Sequence, residues 1–301
     1  MSEIYGRFSD KGQFLTEALN LVGDLGGAHL QPTKSVGSLR SRAASTYRGD
    51  RQPWQTEWIW FKDLTMAKRR PAHCALCGEL RLVTREHVVP RGLYPDSKAN
   101  SRFQRIVIPT CGTCNNGTSD DDAHFRNVVS IAGDANPAVK ELWDGPIRRS
   151  FGQVDGRRRA LDIYALMQPV PRDPSNRYQV YPGRDPRILC TLRKIVRGLS
   201  HHHGLRSAVG DDEVFADVLK ANVPDEIVLS LQSTDAEPDI LTYRYGRIED
   251  SAGLESGWLL RFYERTMFIG LVFESAEAKR RLEAAGELAR LQADIAQSIG
   301  P

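Results

Sequence analysis

Cys74-Ala75-Leu76-Cys77-Gly78, Thr84-Arg85-Glu86-His87-Val88-Val89-Pro90 and Ile108-Pro109-Thr110-Cys111-Gly112-Thr113-Cys114-Asn115-Asn116-Gly117 are the phrases on which the reading of this 301-residue chain turns. Two C-x-x-C pairs bracket an acid–histidine pair, and an asparagine directly follows the last cysteine. Each pair is tight enough for one turn to aim two thiolates at one ion. Zinc takes four such ligands in a tetrahedron, with Zn–S distances of about 2.3 Å. Cys74, Cys77, Cys111 and Cys114 therefore read as structural zinc ligands; reduced thiols without metal are the alternative. A site closed by four sulfurs has no open position, so its zinc fixes the fold and leaves chemistry to another group. A segment this short cannot supply a large core of its own, which is where a structural metal helps. His73 adjoins Cys74 but is not needed as a ligand.

The other group is Glu86-His87. A carboxylate is a hard oxygen donor suited to magnesium or manganese. An imidazole that is neutral near pH 7 can take a proton from water. On its own the dipeptide reads as a surface acid beside a partly buried histidine, and neighbours in a strand point to opposite faces. Asn115 offers an amide oxygen to a hard cation, or it caps a helix.

The order of these parts resembles the HNH nuclease family, in its four-cysteine branch with Asn in the last motif position, and is similar to the phage endonuclease VII type. The resemblance covers about 55 residues, from Cys74 into the stretch around Phe125 to Val129. It implies an α+β fold with a central ββα-metal, treble-clef-like module stapled by zinc. By that resemblance Glu86 and Asn115 hold a catalytic Mg2+ or Mn2+, and His87 is the general base. In the family a distorted strand end beside a proline-containing loop brings the acid and the histidine to one scissile phosphate, and Val88-Val89-Pro90 matches that feature. The implied activity is a metal-dependent endonuclease, a phosphodiester hydrolase acting on DNA and leaving 5′-phosphate ends; RNA stays open as a substrate. The phrase R-K-I-V-R-G-L at 193–199 is associated with C-terminal regions of such proteins, whose members often look like defence, restriction or mobile-element nucleases.

The chain also departs from the pattern. The middle Asn of the motif is missing from Arg105-Ile106-Val107-Ile108-Pro109-Thr110, and Asn100 is the nearest substitute. The basic residue after the last knuckle is replaced by Gly117-Thr118-Ser119-Asp120-Asp121-Asp122. Those acids either add a metal ligand or complement the N-terminus of a following helix. His124 could approach the site, although a surface histidine is the plainer reading. The rival from another class is a non-catalytic, zinc-stabilised nucleic-acid-binding module that acts with a partner.

Around this centre the composition is ordinary for a globular protein, at 41% hydrophobic and 26% charged. The net charge of +3 is too small to imply a nucleic-acid partner by itself, and the basic excess lies in residues 1–73, with 11 Lys/Arg against 7 Asp/Glu. No apolar run is long enough for a membrane span and no secretory leader is evident, so cytoplasmic localisation is expected. In a reducing compartment C-x-x-C pairs read as metal ligands and not as disulfides. Cys190, the fifth cysteine, reads as an inert buried thiol.

Three regions are expected: an N-terminal helix with a basic and aromatic arm over 1–70, the nuclease module over 71–135, and a mixed α/β domain over 136–301. Helical spacing predicts helices over 9–25, 137–143, 186–200, 213–221 and 275–299. Residues 32–53 read as a basic loop. Trp54, Trp58, Trp60 and Phe61 lie beside Lys68-Arg69-Arg70, an arrangement that packs on a core or stacks on bases. Strands are expected in 160–181, 227–231, 240–245 and 258–273, the last as a hairpin turning near Glu264-Arg265-Thr266. In the 186–200 helix Arg193, Lys194 and Arg197 fall opposite the apolar stripe, on a face that is solvated or follows a phosphate backbone. His201-His202-His203 do not share one face and make a poor metal site. One catalytic centre cuts one strand, so a homodimer or a regulatory partner is a further expectation.

Overall fold

The computed structural model describes residues 3–7, 71–101, 103, 105–132, 136–169, 178–219, 225–248 and 253–286. The expectations for 9–25, 32–53 and 54–70, and for the end of the 275–299 helix, lie outside these residues. In the described part, β1 (Glu3–Arg7) is followed by β2 (Pro71–His73), β3 (Leu80–His87) and β4 (Val107–Cys111). Helices α1 (Gly112–Asn116), α2 (Ser119–Ala132), α3 (Pro137–Leu142), α4 (Arg148–Phe151) and α5 (Val154–Leu166) come next. Strands β5 (Gln168–Pro169) and β6 (Tyr178–Pro182) then lead into the long helix α6 (Pro186–His202). The chain continues with β7 (Val214–Val218), α7 (Asp225–Ser230), β8 (Gln232–Glu237), β9 (Leu241–Arg247), β10 (Leu254–Phe262), β11 (Thr266–Phe273) and α8 (Ala276–Ala284). The fold is mixed α+β, with antiparallel sheets ordered β2-β3-β4, β1-β6-β5 and β7-β11-β10-β9-β8.

Helix α6 is the structural axis. Its start is set by Asp185, whose carboxylate accepts from the Arg187 N–H, and by Pro186 in the first turn, where a missing N–H costs nothing. Ile188, Leu192, Ile195, Val196 and Leu199 recur at helical spacing and are fully buried. Each such side chain contributes about 1.5–3 kcal/mol by leaving water. The helix packs against α2 and β4 on the cysteine-bearing part and against β7 and β11 of the five-stranded sheet. Gly198 permits the close approach: a Cβ there would lie 2.9 Å from Val88 Cγ2 and 3.3 Å from Ile108 Cδ1.

Buried apolar side chains from Cys74 to Val272 form one continuous cluster, so packing runs across residue 135. The β10–β11 turn adds a tie, because Tyr263 is buried and donates its hydroxyl to the Leu93 carbonyl at 2.8 Å. Tyr263 and Glu264 take positive φ in that turn, which confirms the expected hairpin and its place.

Several local expectations change. Residues 160–166 belong to helix α5, although Tyr178–Pro182 is a strand as expected. Val214–Val218 is a strand, not a helix, because it completes the sheet edge beside β11. Asp225–Ser230 is a helix where Ile227 to Leu231 reads as a strand; a short apolar run has no period that separates the two. Lys194 is not on a solvated face: it is 3% exposed.

Candidate functional site

The cysteine cluster is assembled from two turns. Cys74 and Cys77 lie in the turn between β2 and β3, where the Gly78 N–H donates to the Cys74 carbonyl at 2.8 Å. Gly78 has φ +75°, a conformation that a side chain would strain, and it reverses the chain into β3. Cys111 ends β4, and Cys114 sits within α1. Strand pairing of Val83 with Cys111 brings the turns together, and the Cys111 N–H donates to Cys74 Sγ at 3.3 Å.

The four sulfurs all lie within 4.8 Å of one another, and Cys77 Sγ is 3.9 Å from Cys111 Sγ. Tetrahedral zinc at its usual bond length needs sulfurs about 3.8 Å apart, so the set fits a metal such as zinc. Burial raises the Cys74 thiol, but backbone donors from Cys77, Cys111 and Leu76 outweigh it and bring it down to about 7. Burial and the neighbouring sulfurs push Cys114 up, the conflict that a bound dication resolves. Among the described residues these four are the His, Cys, Asp or Glu side chains that gather in a group of three or more close enough to hold one metal ion. His73 lies outside it, with Nδ1 2.9 Å from the Gly78 carbonyl. His201 is within hydrogen-bond distance of the Ser207 carbonyl, and His203 of the Tyr243 hydroxyl, so these two rings are engaged locally.

Strand β3 carries Glu86 and His87 on opposite faces, and their surroundings differ. On the first face, Asn115 Nδ2 donates to Thr84 Oγ1 at 2.8 Å, which puts Asn115 against the same side of the strand as Glu86. Lys194 Nζ, from α6, donates to Glu86 Oε1 at 3.1 Å, to Thr118 Oγ1 at 2.9 Å and to Asp122 Oδ2 at 2.5 Å. Burial raises the Glu86 carboxyl, and the Lys194 charge opposes that shift. Asp122 behaves alike and also accepts from Thr191 Oγ1. Three oxygens from β3, α2 and the turn between α1 and α2 thus converge on the Lys194 ammonium.

On the second face stands His87. Its Nδ1 is buried without a hydrogen-bond partner among the described residues. Burial lowers its pKa, and the charges of Arg91, Arg105 and Arg85 lower it further, so the ring is neutral at pH 7. Three guanidinium groups around one neutral imidazole make a local anion-attracting surface. Arg105 is braced over the Tyr94 ring, 4.5 Å from its centroid.

The remaining acids and histidines find other employment. Asp120 pairs with Arg159 at 3.2 Å, and all three acids lie in the first turn of α2, where the helix dipole favours them. Cys190 is held protonated, pushed up to about 11 by burial and by Asp121. His124 is not a surface residue: it is 1% exposed, and Nε2 lies 2.8 Å from the Tyr181 hydroxyl. The side chain of Asn100 is outside the described set. Sequence reading missed Lys194 and Asp122 as one unit; the only available sign was that Lys194 lies in the R-K-I-V-R-G-L phrase beside a buried stripe.

No helix among the described residues is long and apolar enough to cross a membrane. Compared with protein-family models, curated proteins and solved structures, the chain matches none.

Proposed function

We propose that the chain is a divalent-metal-dependent endonuclease of HNH type that hydrolyses DNA phosphodiester bonds, with a ββα-metal module built from β3, β4 and α1. What supports this reading is the four-sulfur cluster that ties the β3–β4 hairpin to α1, with the acid, the amide and the histidine bordering the two faces of the same strand end. Glu86 and Asn115 border one side of β3, and a neutral His87 stands among arginines at the strand's end. Glu86 and Asn115, with Asp122 beside them, would hold Mg2+ or Mn2+; bound there, the ion would stabilise charge on the phosphate and the leaving oxygen. Arg85, Arg91 and Arg105 attract and orient the phosphate. His87, free of a proton at neutral pH, takes one from the attacking water. Zinc serves the fold alone. A reducing cytoplasm, where thiolates stay available, suits the cluster, and a role in anti-phage defence or restriction fits a nuclease that acts as a dimer or under a regulatory partner.

A second reading, a non-catalytic nucleic-acid-binding module, is favoured by one observation: the Lys194 ammonium already neutralises Glu86. Cleavage of supercoiled plasmid separates the two. The nuclease reading expects nicking with Mg2+ or Mn2+, none with EDTA, and none from Glu86→Gln with unchanged zinc content. DNA binding without nicking under every condition supports the module instead.

A further inference from the structure

Lys194 lies where a residue of a solvated helix face is not expected. It comes from α6, reaches the module from outside it, and is 3% exposed. Its three N–H bonds meet three oxygens, those of Glu86, Thr118 and Asp122, at 2.5–3.1 Å. An ammonium has three donors, so none is left to touch a phosphate. Lys194 as it stands therefore cannot act on substrate. It occupies the point on which the hard oxygens converge.

We infer that Lys194 is a built-in competitor for the cation position of the Glu86 site: its ammonium must leave before a divalent metal binds, so the lysine sets the metal concentration at which the site loads. The inference rests on the metal-dependent reading above and deepens it. Two carboxylates facing one ammonium leave unbalanced negative charge, which a dication meets better. The oxygen–cation distances must contract to about 2.1 Å for magnesium, a change within reach of side-chain rotation. The lysine's flexible four-carbon stem allows it to withdraw where a rigid guanidinium would not. While the ammonium is seated, apparent metal affinity is reduced by the fraction of time the seat is free.

The test is Mn2+ binding to the zinc-loaded full chain, followed by the loss of the free-ion paramagnetic resonance signal. Lys194→Met is expected to tighten binding at least tenfold, whereas Arg193→Met, which removes a charge from the same helix but pairs elsewhere, stays within twofold of wild type. Binding that is unchanged or weaker in Lys194→Met overturns the inference, as does equal tightening in both variants. If Lys194→Met does not fold, the wild type still decides. Acylation of Lys194, read by peptide mass spectrometry, should be slow without divalent metal and rise severalfold at saturating Mn2+; a rate that ignores Mn2+ overturns the inference. Glu86→Gln keeps the two levels apart. Binding that Glu86→Gln abolishes but Lys194→Met leaves alone defeats the competition by Lys194 and preserves the metal site, while binding indifferent to Glu86→Gln defeats both.

Discussion

At the scale of single residues, the four sulfurs set the harshest condition. Cys74 and Cys111 are buried, and their sulfurs with burial push the Cys114 thiol up, so the cluster is electrostatically costly without a cation. Structural zinc contributes an apparent ~10–16 kcal/mol in small peptides, more than most domains' net stability. Cys111→Ser is therefore expected to lose bound zinc and the cooperative thermal transition together, as read by metal analysis and calorimetry. A different chemistry governs His124. If Tyr181 donates to Asp185 at 2.5 Å, then Nε2–H of a neutral His124 donates to Tyr181, and Nδ1 is left buried and unpaired. Burial and Arg187 hold its pKa down at about 4, below the ordinary 6.5. The unfolded chain then binds the extra proton first. Stability conferred by the neutral ring is full above pH 6.5 and falls between about 6.5 and 4, by up to ~1.4 kcal/mol per pH unit. Denaturant titrations across that window should show this slope, flattened in His124→Asn; an identical slope in the variant contradicts the assignment.

At the scale of elements, α6 is where sequence and packing agree best and also where they part. Its stripe from Ile188 to Leu199 is legible because a 3.6-residue period is a property of the helix alone. The destination of Lys194 is not, because Glu86 and Asp122 lie 108 and 72 residues away along the chain. Nor could Val214–Val218 announce itself as a strand, since its pairing with β11 depends on residues some fifty positions later. The C-x-x-C pairs were readable for the opposite reason: two ligands in one turn are local geometry. Close contact of α6 with the hairpin depends on Gly198. Gly198→Ala forces a methyl against Val88, at a cost of about 1–3 kcal/mol, and should lower the melting temperature without removing zinc. An unchanged melting temperature would mean that α6 does not bear on the hairpin as described.

At the scale of the whole molecule, the expected three regions meet a packing arrangement that ignores one of their borders. The apolar cluster passes from Cys74 through α2 and α6 into the five-stranded sheet, and Tyr263 and Arg197 reach back to Leu93 and Leu76. Composition alone could not show this, because residues 71–135 contain a complete local motif and look self-sufficient. A fragment of residues 71–135 loses the faces that α6 covers and the Lys194 counter-charge for Glu86. Even with zinc it is expected to give no cooperative calorimetric transition, whereas the described body of the full chain melts as one unit. Two separated transitions in the full chain would contradict that continuity.

The most direct test of the central claim is chemical rescue at the base. Cleavage of supercoiled plasmid is measured under single-turnover conditions with Mg2+ for wild type, for His87→Gly, and for His87→Gly with added imidazole. Wild type is expected to nick only with metal, the variant to lose at least a hundredfold with zinc content intact, and imidazole to restore part of the activity. Equal cutting by wild type and His87→Gly would contradict His87 as the general base.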